Sequence, residues 1–189
     1  MVKLVYTVEN GKIKIKNFDS ITDHQEFVKV YDNRLPDISI LHMKGGLQNQ
    51  TSTLFDPPQD PGIILSIQTV HRNSKFEFES TNTINVSYSP VVESIQLMTA
   101  NIPFAHRYEN RGTVNRIDIY IPANKVKELI PKKILDKLYS KQVLNLSPAT
   151  NKFLSSLNEF LNMLIKELGK KESRSLSTYF ENFIQCITL

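Results

Sequence analysis

Ile117-Asp118-Ile119-Tyr120-Ile121-Pro122-Ala123-Asn124-Lys125-Val126-Lys127-Glu128-Leu129-Ile130-Pro131 holds the one change of character in this chain. The isoleucine-rich run reads as a strand, and Pro122 stops it because proline has no N–H to give to a sheet. Beyond Pro122, Val126, Leu129 and Ile130 recur at helical spacing and are followed by Ile134, Leu135 and Leu138. Asn124 is the expected cap of the first helix, and Pro131 predicts a kink or two short helices.

Upstream, short β-branched and aromatic runs alternate with turn residues. Leu4–Val8 and Lys12–Lys16 flank Asn10-Gly11, a pair that supplies the positive φ angles of a tight hairpin turn. Strands are expected at 26–31, 38–43, 63–70, 75–79, 83–88, 93–99 and 116–121, with Gly45-Gly46 closing the second of these. The polar, proline-rich stretch from Gly45 to Gly62 reads as one long loop. Regular short strands of this kind point to a sandwich or barrel, not to a doubly wound sheet.

Downstream, Ser147-Pro148 has the chemistry of a helix start, serine as cap and proline at the first helical position. Phe153, Leu157, Phe160, Leu161, Leu164, Ile165 and Leu168 then form one apolar stripe of about five turns, ended by Gly169. A last helical pattern carries Leu176, Tyr179, Phe180, Phe183, Ile184 and Ile187. The stripe must be covered, since each large side chain buried is worth roughly 1.5–3 kcal/mol. Either it packs on the β body, or part of it pairs with a second copy about a two-fold axis. The expected organisation is a β domain over residues 1–122 and a helical region over 123–189.

Composition narrows the function classes. With 189 residues, 40% of them hydrophobic, the chain can bury a core. The lone Cys186 excludes an internal disulfide, and no apolar run reaches the length of a membrane span, so a cytoplasmic protein without membrane contact is expected. The net charge of +4 is unevenly placed: between Arg116 and Lys141 seven basic residues face three acids, a surplus equal to that of the whole chain. Lysines spaced along a solvated helix face account for this, with non-specific contact to a DNA backbone as the alternative.

Catalytic signatures are missing from the sequence. His24, His42, His71 and His106 sit on different elements, and no two have the spacing that presents two ligands from one strand or helix. No nucleophile elbow or phosphate loop is present, and Glu77 and Glu79 alternate with Phe76 and Phe78, opposite the rings. No catalytic residue, metal ligand or cofactor is therefore assigned. A barrel can instead enclose one small ligand, oriented by polar residues that point inward. The strand and strand-end residues with suitable chemistry are His42, Gln68, His71, Arg72, Tyr88, Arg107 and Arg116, the arginines suiting a carboxylate or phosphate.

The strand ending in Ile121-Pro122, the Leu129-Ile130-Pro131 turn and the two helical patterns after Ser147-Pro148 resemble the N-terminal effector-binding and dimerisation region of AraC-type bacterial transcription regulators. The resemblance implies an α+β protein, a cupin-like antiparallel β barrel or sandwich followed by two to three amphipathic C-terminal helices. It also implies a homodimer through Phe153, Leu157, Phe160, Leu161 and Leu164, a small-molecule effector, and DNA contact only through a C-terminal helix-turn-helix domain absent from this chain. Two other readings stay open: a cupin-type enzyme or metal-binding protein using scattered histidines, and a protein-interaction domain without a small ligand. A barrel filled by its own side chains is the mark of the last.

Overall fold

The computed structural model describes residues 2–19, 27–35, 37–47, 51–57, 62–72, 76–81, 83–87, 91–108, 112–148, 157–170, 176–185 and 187–188. Two sheets face each other. One has the order β2-β1-β5-β10-β7-β8, from β1 (Val2–Glu9), β2 (Lys12–Asp19), β5 (Thr51–Phe55), β7 (Phe76–Ser80), β8 (Thr83–Ser87) and β10 (Phe104–Tyr108). The other has the order β13-β12-β9-β6-β11-β4-β3, from β3 (Phe27–Leu35), β4 (Ile38–Leu47), β6 (Ile63–Arg72), β9 (Val91–Thr99), β11 (Gly112–Ile121), β12 (Val143–Pro148) and β13 (Ile187–Thr188). The expected β body with C-terminal helices is thus what the chain adopts. Pairing is antiparallel except between β1 and β5, which run parallel.

Among the described residues, the helices pack on the seven-stranded sheet. They are α1 (Ala123–Leu129), α2 (Lys132–Lys141), α3 (Leu157–Gly169) and α4 (Leu176–Gln185). Their buried residues, among them Leu135, Leu138, Leu164, Leu168, Phe180 and Phe183, join Ile40, Leu65, Ile67, Ile95, Ile117 and Ile119 from the outer face of the seven-stranded sheet. A second core lies between the sheets and contains Leu4, Tyr6, Leu41, Phe55, Ile64, Phe78, Met98, Phe104, Tyr108 and Tyr120. Strand alternation separates the two: on β11, Ile117, Ile119 and Ile121 face the helices while Val114 and Tyr120 face the opposing sheet.

Several expectations hold at residue level. Asn10 (φ 53°) and Gly11 (φ 73°) make the tight β1–β2 turn, and Pro131 does split one apolar pattern into α1 and α2. Others need correction. Asn124 lies inside α1, which begins after Pro122 with no side-chain cap. The long loop from Gly45 to Gly62 contains β5, and β4 runs through Gly45-Gly46 to Leu47. Ser147-Pro148 ends a strand, β12, instead of starting a helix. Because β12 pairs with β9 and places Leu144 and Leu146 in the core under the helices, the seven-stranded sheet draws on both sides of Pro122. A division into a β part over 1–122 and a helical part over 123–189 therefore does not follow the sheet.

Candidate functional site

The interior between the sheets carries a polar cluster amid apolar packing. Arg116 and Asp118, two residues apart on β11, point the same way by strand alternation. Arg116 Nε donates to Asp118 Oδ1 at 2.9 Å, and its Nη2 donates to Oδ2. From the opposing sheet, Tyr6 on β1 donates to Asp118 Oδ2 at 2.6 Å, while Thr53 on β5 and Tyr108 on β10 accept from Arg116 Nη1. Tyr108 in turn donates to Gln68 Oε1 at 3.0 Å, and Gln68 Nε2 donates to Ser94 on β9 at 2.9 Å. One ion pair and its hydrogen bonds thereby tie the two sheets together across the barrel.

A second chain of contacts runs beside it. His106 Nε2 meets Gln96 Oε1 at 3.0 Å, and Gln96 Nε2 donates to Asn145 Oδ1 on β12 at 3.1 Å. Asn145 is exposed, so this chain leads from the barrel interior to solvent at the β12 side of the sheet. Aromatic rings wall the cluster: the Phe78 ring lies 5.0 Å from His106, and Phe55 stacks on Phe104 at 4.9 Å.

Burial sets the protonation states. Desolvation, with the positive charge of Arg116 adding to it, holds His106 well below the usual imidazole range, so the ring is neutral at pH 7. Burial, then the charge of Asp118, raises the Tyr6 hydroxyl well above its ordinary value, and burial raises that of Tyr108. Burial alone would weaken the charge on Arg116, but Asp118 outweighs it and keeps the guanidinium protonated. The interior charge is thus one matched pair surrounded by neutral donors and acceptors.

Of the residues singled out in the sequence, Gln68 and Arg116 meet in this interior. His42 does not, because β4 turns it to the outer face, where its Nε2 lies 3.1 Å from Asn115 Oδ1 beneath the helices. Arg107 is on the outer face of the six-stranded sheet, bound to Glu77 at 2.9 Å and to Glu79. His71 and Arg72 lie in β6, with side chains outside the described residues, as is Tyr88 altogether. His24, Phe153 and Cys186 also fall outside the described residues, and Leu157, Phe160 and Leu161 are described only by their backbone in α3. Leu164 is buried within the protomer, so its assignment to a contact between copies is corrected.

Sequence reading passed over Tyr6, Thr53, Gln96, His106, Tyr108 and Asp118. Their signal was strand alternation: Phe104-x-His106-x-Tyr108 and Arg116-x-Asp118-x-Tyr120 each put chemistry and rings on one face. Among the described residues no three His, Cys, Asp or Glu side chains are grouped to hold a metal ion, and no helix is long and apolar enough to cross a membrane.

Among the described residues the cluster is closely packed. Tyr6, Gln68, Phe78 and His106 have 0% exposure and Arg116 has 2%, so no space of solvent size adjoins these side chains. A groove of about 470 Å³ instead lies on the other side of the six-stranded sheet, lined in part by Val5, Leu54 and Arg107.

No protein-family model and no curated protein matches the sequence. Among solved structures, the AraC-like transcriptional activator CuxR superimposes with a TM-score of 0.51 at 11% identity, over 87% of this chain and 56% of CuxR. This chain thus spans little more than half the length of that protein. The cupin domain of an XRE-family transcriptional regulator from Enterobacter cloacae (TM-score 0.33, 18% identity, 51% of this chain and 97% of that one) and the Schizosaccharomyces pombe Cnp3 cupin domain (0.36, 7%, 61% and 81%) are more distant. The protein therefore has the fold of part of an AraC-like activator, a two-sheet β barrel carrying C-terminal helices on one wall.

Proposed function

We propose that this chain is the effector-sensing and dimerisation region of an AraC-type transcription regulator, with sequence-specific DNA contact made by a domain outside this chain. The observation that carries the reading is the double-sided use of β11. Arg116 and Asp118 face the barrel interior, while Asn115, next to Arg116 on β11, faces outward, where its Nδ2 donates to Asn162 Oδ1 on α3 at 3.5 Å. A ligand that drew Arg116 away from Asp118 would shift β11 and be felt by α3. Such a ligand moves the equilibrium only by its difference in affinity for the two arrangements.

The dimer contact then falls on what α3 leaves uncovered. Leu164 and Leu168 are spent on the sheet, whereas Met163 is 51% exposed between the polar Asn162 and the buried Leu164. Sedimentation velocity over a range of concentrations tests the reading. A dimer that a Met163→Glu substitution converts to monomer is the expected result, and a monomer at every concentration refutes it.

The close packing around Arg116 favours a second reading, an interaction domain that takes no small ligand. In that case the Arg116 cluster is a strut between the sheets, and any partner binds on the outside.

A further inference from the structure

We propose that the lysine face of α1 and α2 is a contact surface for the phosphate backbone of a nucleic-acid duplex. Folding concentrates the charge surplus noted in the sequence. Arg116 and Asp118 neutralise each other inside the barrel, which leaves six lysines and two carboxylates between Lys125 and Lys141, an excess equal to the net +4 of the whole chain.

Five of these six lysines are not spent on a carboxylate among the described residues. Lys125 pairs with Glu128 at 3.0 Å, but Lys127, Lys132, Lys133, Lys137 and Lys141 are exposed and, among the described residues, have no carboxylate within ion-pair distance. Elsewhere Lys16, Lys170, Arg107 and Arg116 each hold an acid, and the exposed Lys12 and Lys14 on β2 and Lys44 on β4 are not aligned along one helix. The helix is also held in one orientation. Ile134, Leu135 and Leu138 are buried against the sheet, so Lys133, Lys137 and Lys141, spaced four residues apart, form a ribbon on an exposed flank of α2. Four residues of helix rise about 6 Å, so the three ammonium groups span a length on which several phosphates fall.

The chemistry selects phosphate backbone over a bilayer. A helix that lies in an anionic membrane surface needs an apolar face to bury in it, and the apolar face of α2 is already buried in the protein. Lysines are strongly hydrated point charges without the planar fork that reads a base edge, so the contact would be indifferent to sequence. This surface does not depend on the dimer or on an effector, and its failure would leave the proposed function standing.

Fluorescence anisotropy with a 20-base-pair duplex of arbitrary sequence tests it on the whole chain. If five phosphates are neutralised, the slope of log affinity against log salt is about −4.5, a loss of about 500-fold between 50 and 200 mM NaCl. Replacing Lys133, Lys137 and Lys141 by glutamine should make the slope shallower by about 2.7, with the far-ultraviolet circular dichroism unchanged, and replacing them by arginine should preserve it. A charge-matched control, Lys12→Gln, Lys14→Gln and Lys44→Gln, should leave the slope as it is. The proposal is overturned by no binding at 50 mM salt, by equal loss in the control, or by tighter binding to anionic vesicles than to the duplex.

Discussion

Arg116 and Asp118 form an ion pair sealed between two sheets, the guanidinium 2% and the carboxylate 1% exposed in their side chains. Removing one partner of such a pair strands a buried charge, which costs about 3–5 kcal/mol. Asp118→Leu should therefore lose that much stability in urea denaturation. The double substitution Arg116→Met with Asp118→Leu leaves no charge and should recover part of the loss. Equal stability of the single and double variants would show that the pair is not the cause.

His106 predicts how stability depends on acid. Its folded pKa is depressed by burial and by Arg116, so the unfolded state binds the proton more readily. The stabilisation is complete above the unfolded value of about 6.5 and is lost as pH falls from there toward the lower folded value. His42, lowered by burial, adds in the same direction. Unfolding free energy should decline below pH 6.5 by up to about 1.4 kcal/mol per pH unit for each histidine. His106→Gln should make that decline shallower, measured by urea titrations at pH 7, 6 and 5. An identical slope in the variant would contradict the assignment.

Gly62 packs against the Tyr120 ring so closely that an added Cβ would sit 2.5 Å from a ring carbon, and Tyr120 is fully buried. Gly62→Ala should cost about 1–3 kcal/mol by overpacking. At the end of α3 nothing approaches the corresponding position of Gly169 within 4 Å, so Gly169→Ala should be neutral or stabilising. Thermal denaturation of the two variants side by side checks the contrast, and a Gly62→Ala protein as stable as the parent would show that the ring has room to move.

The two faces of α3 should answer differently to truncation. Leu168 is buried in the core under the helices, and Leu168→Ala should cost about 2–5 kcal/mol. Met163→Ala should stay within about 0.5 kcal/mol for an exposed position. A large loss of protomer stability at Met163 would place it inside the protomer, not on a contact surface.

The β body with trailing helices was legible because its elements carry local signals, the Asn10-Gly11 turn and the Pro122 and Pro131 breaks above all. The strands that escaped notice are short or lack an apolar run. Thr51–Phe55 lies in a polar, proline-rich stretch, and its place between β1 and β10 depends on partners far along the chain. Ser147-Pro148 has a helix-start composition, but the pairing of Val143–Leu146 with β9 decides the backbone there. The interior cluster was half visible. Arg116 and Gln68 stood out as polar residues in apolar strands, whereas Tyr6 and Thr53 enter only through the register that sets β1 and β5 opposite β11. His42 misled because a strand residue's chemistry does not say which of two buried faces it takes, and here both faces of the seven-stranded sheet are covered.

The central claim is that β11 couples the interior cluster to the helices on the outer wall. Hydrogen exchange compared between the native chain and the Arg116→Met, Asp118→Leu variant tests it most directly. The account predicts exchange at least about tenfold faster across α3 (Leu157–Gly169), with β6, β9 and α2 still protected. Unchanged exchange in α3, or equal acceleration in every element, would contradict it.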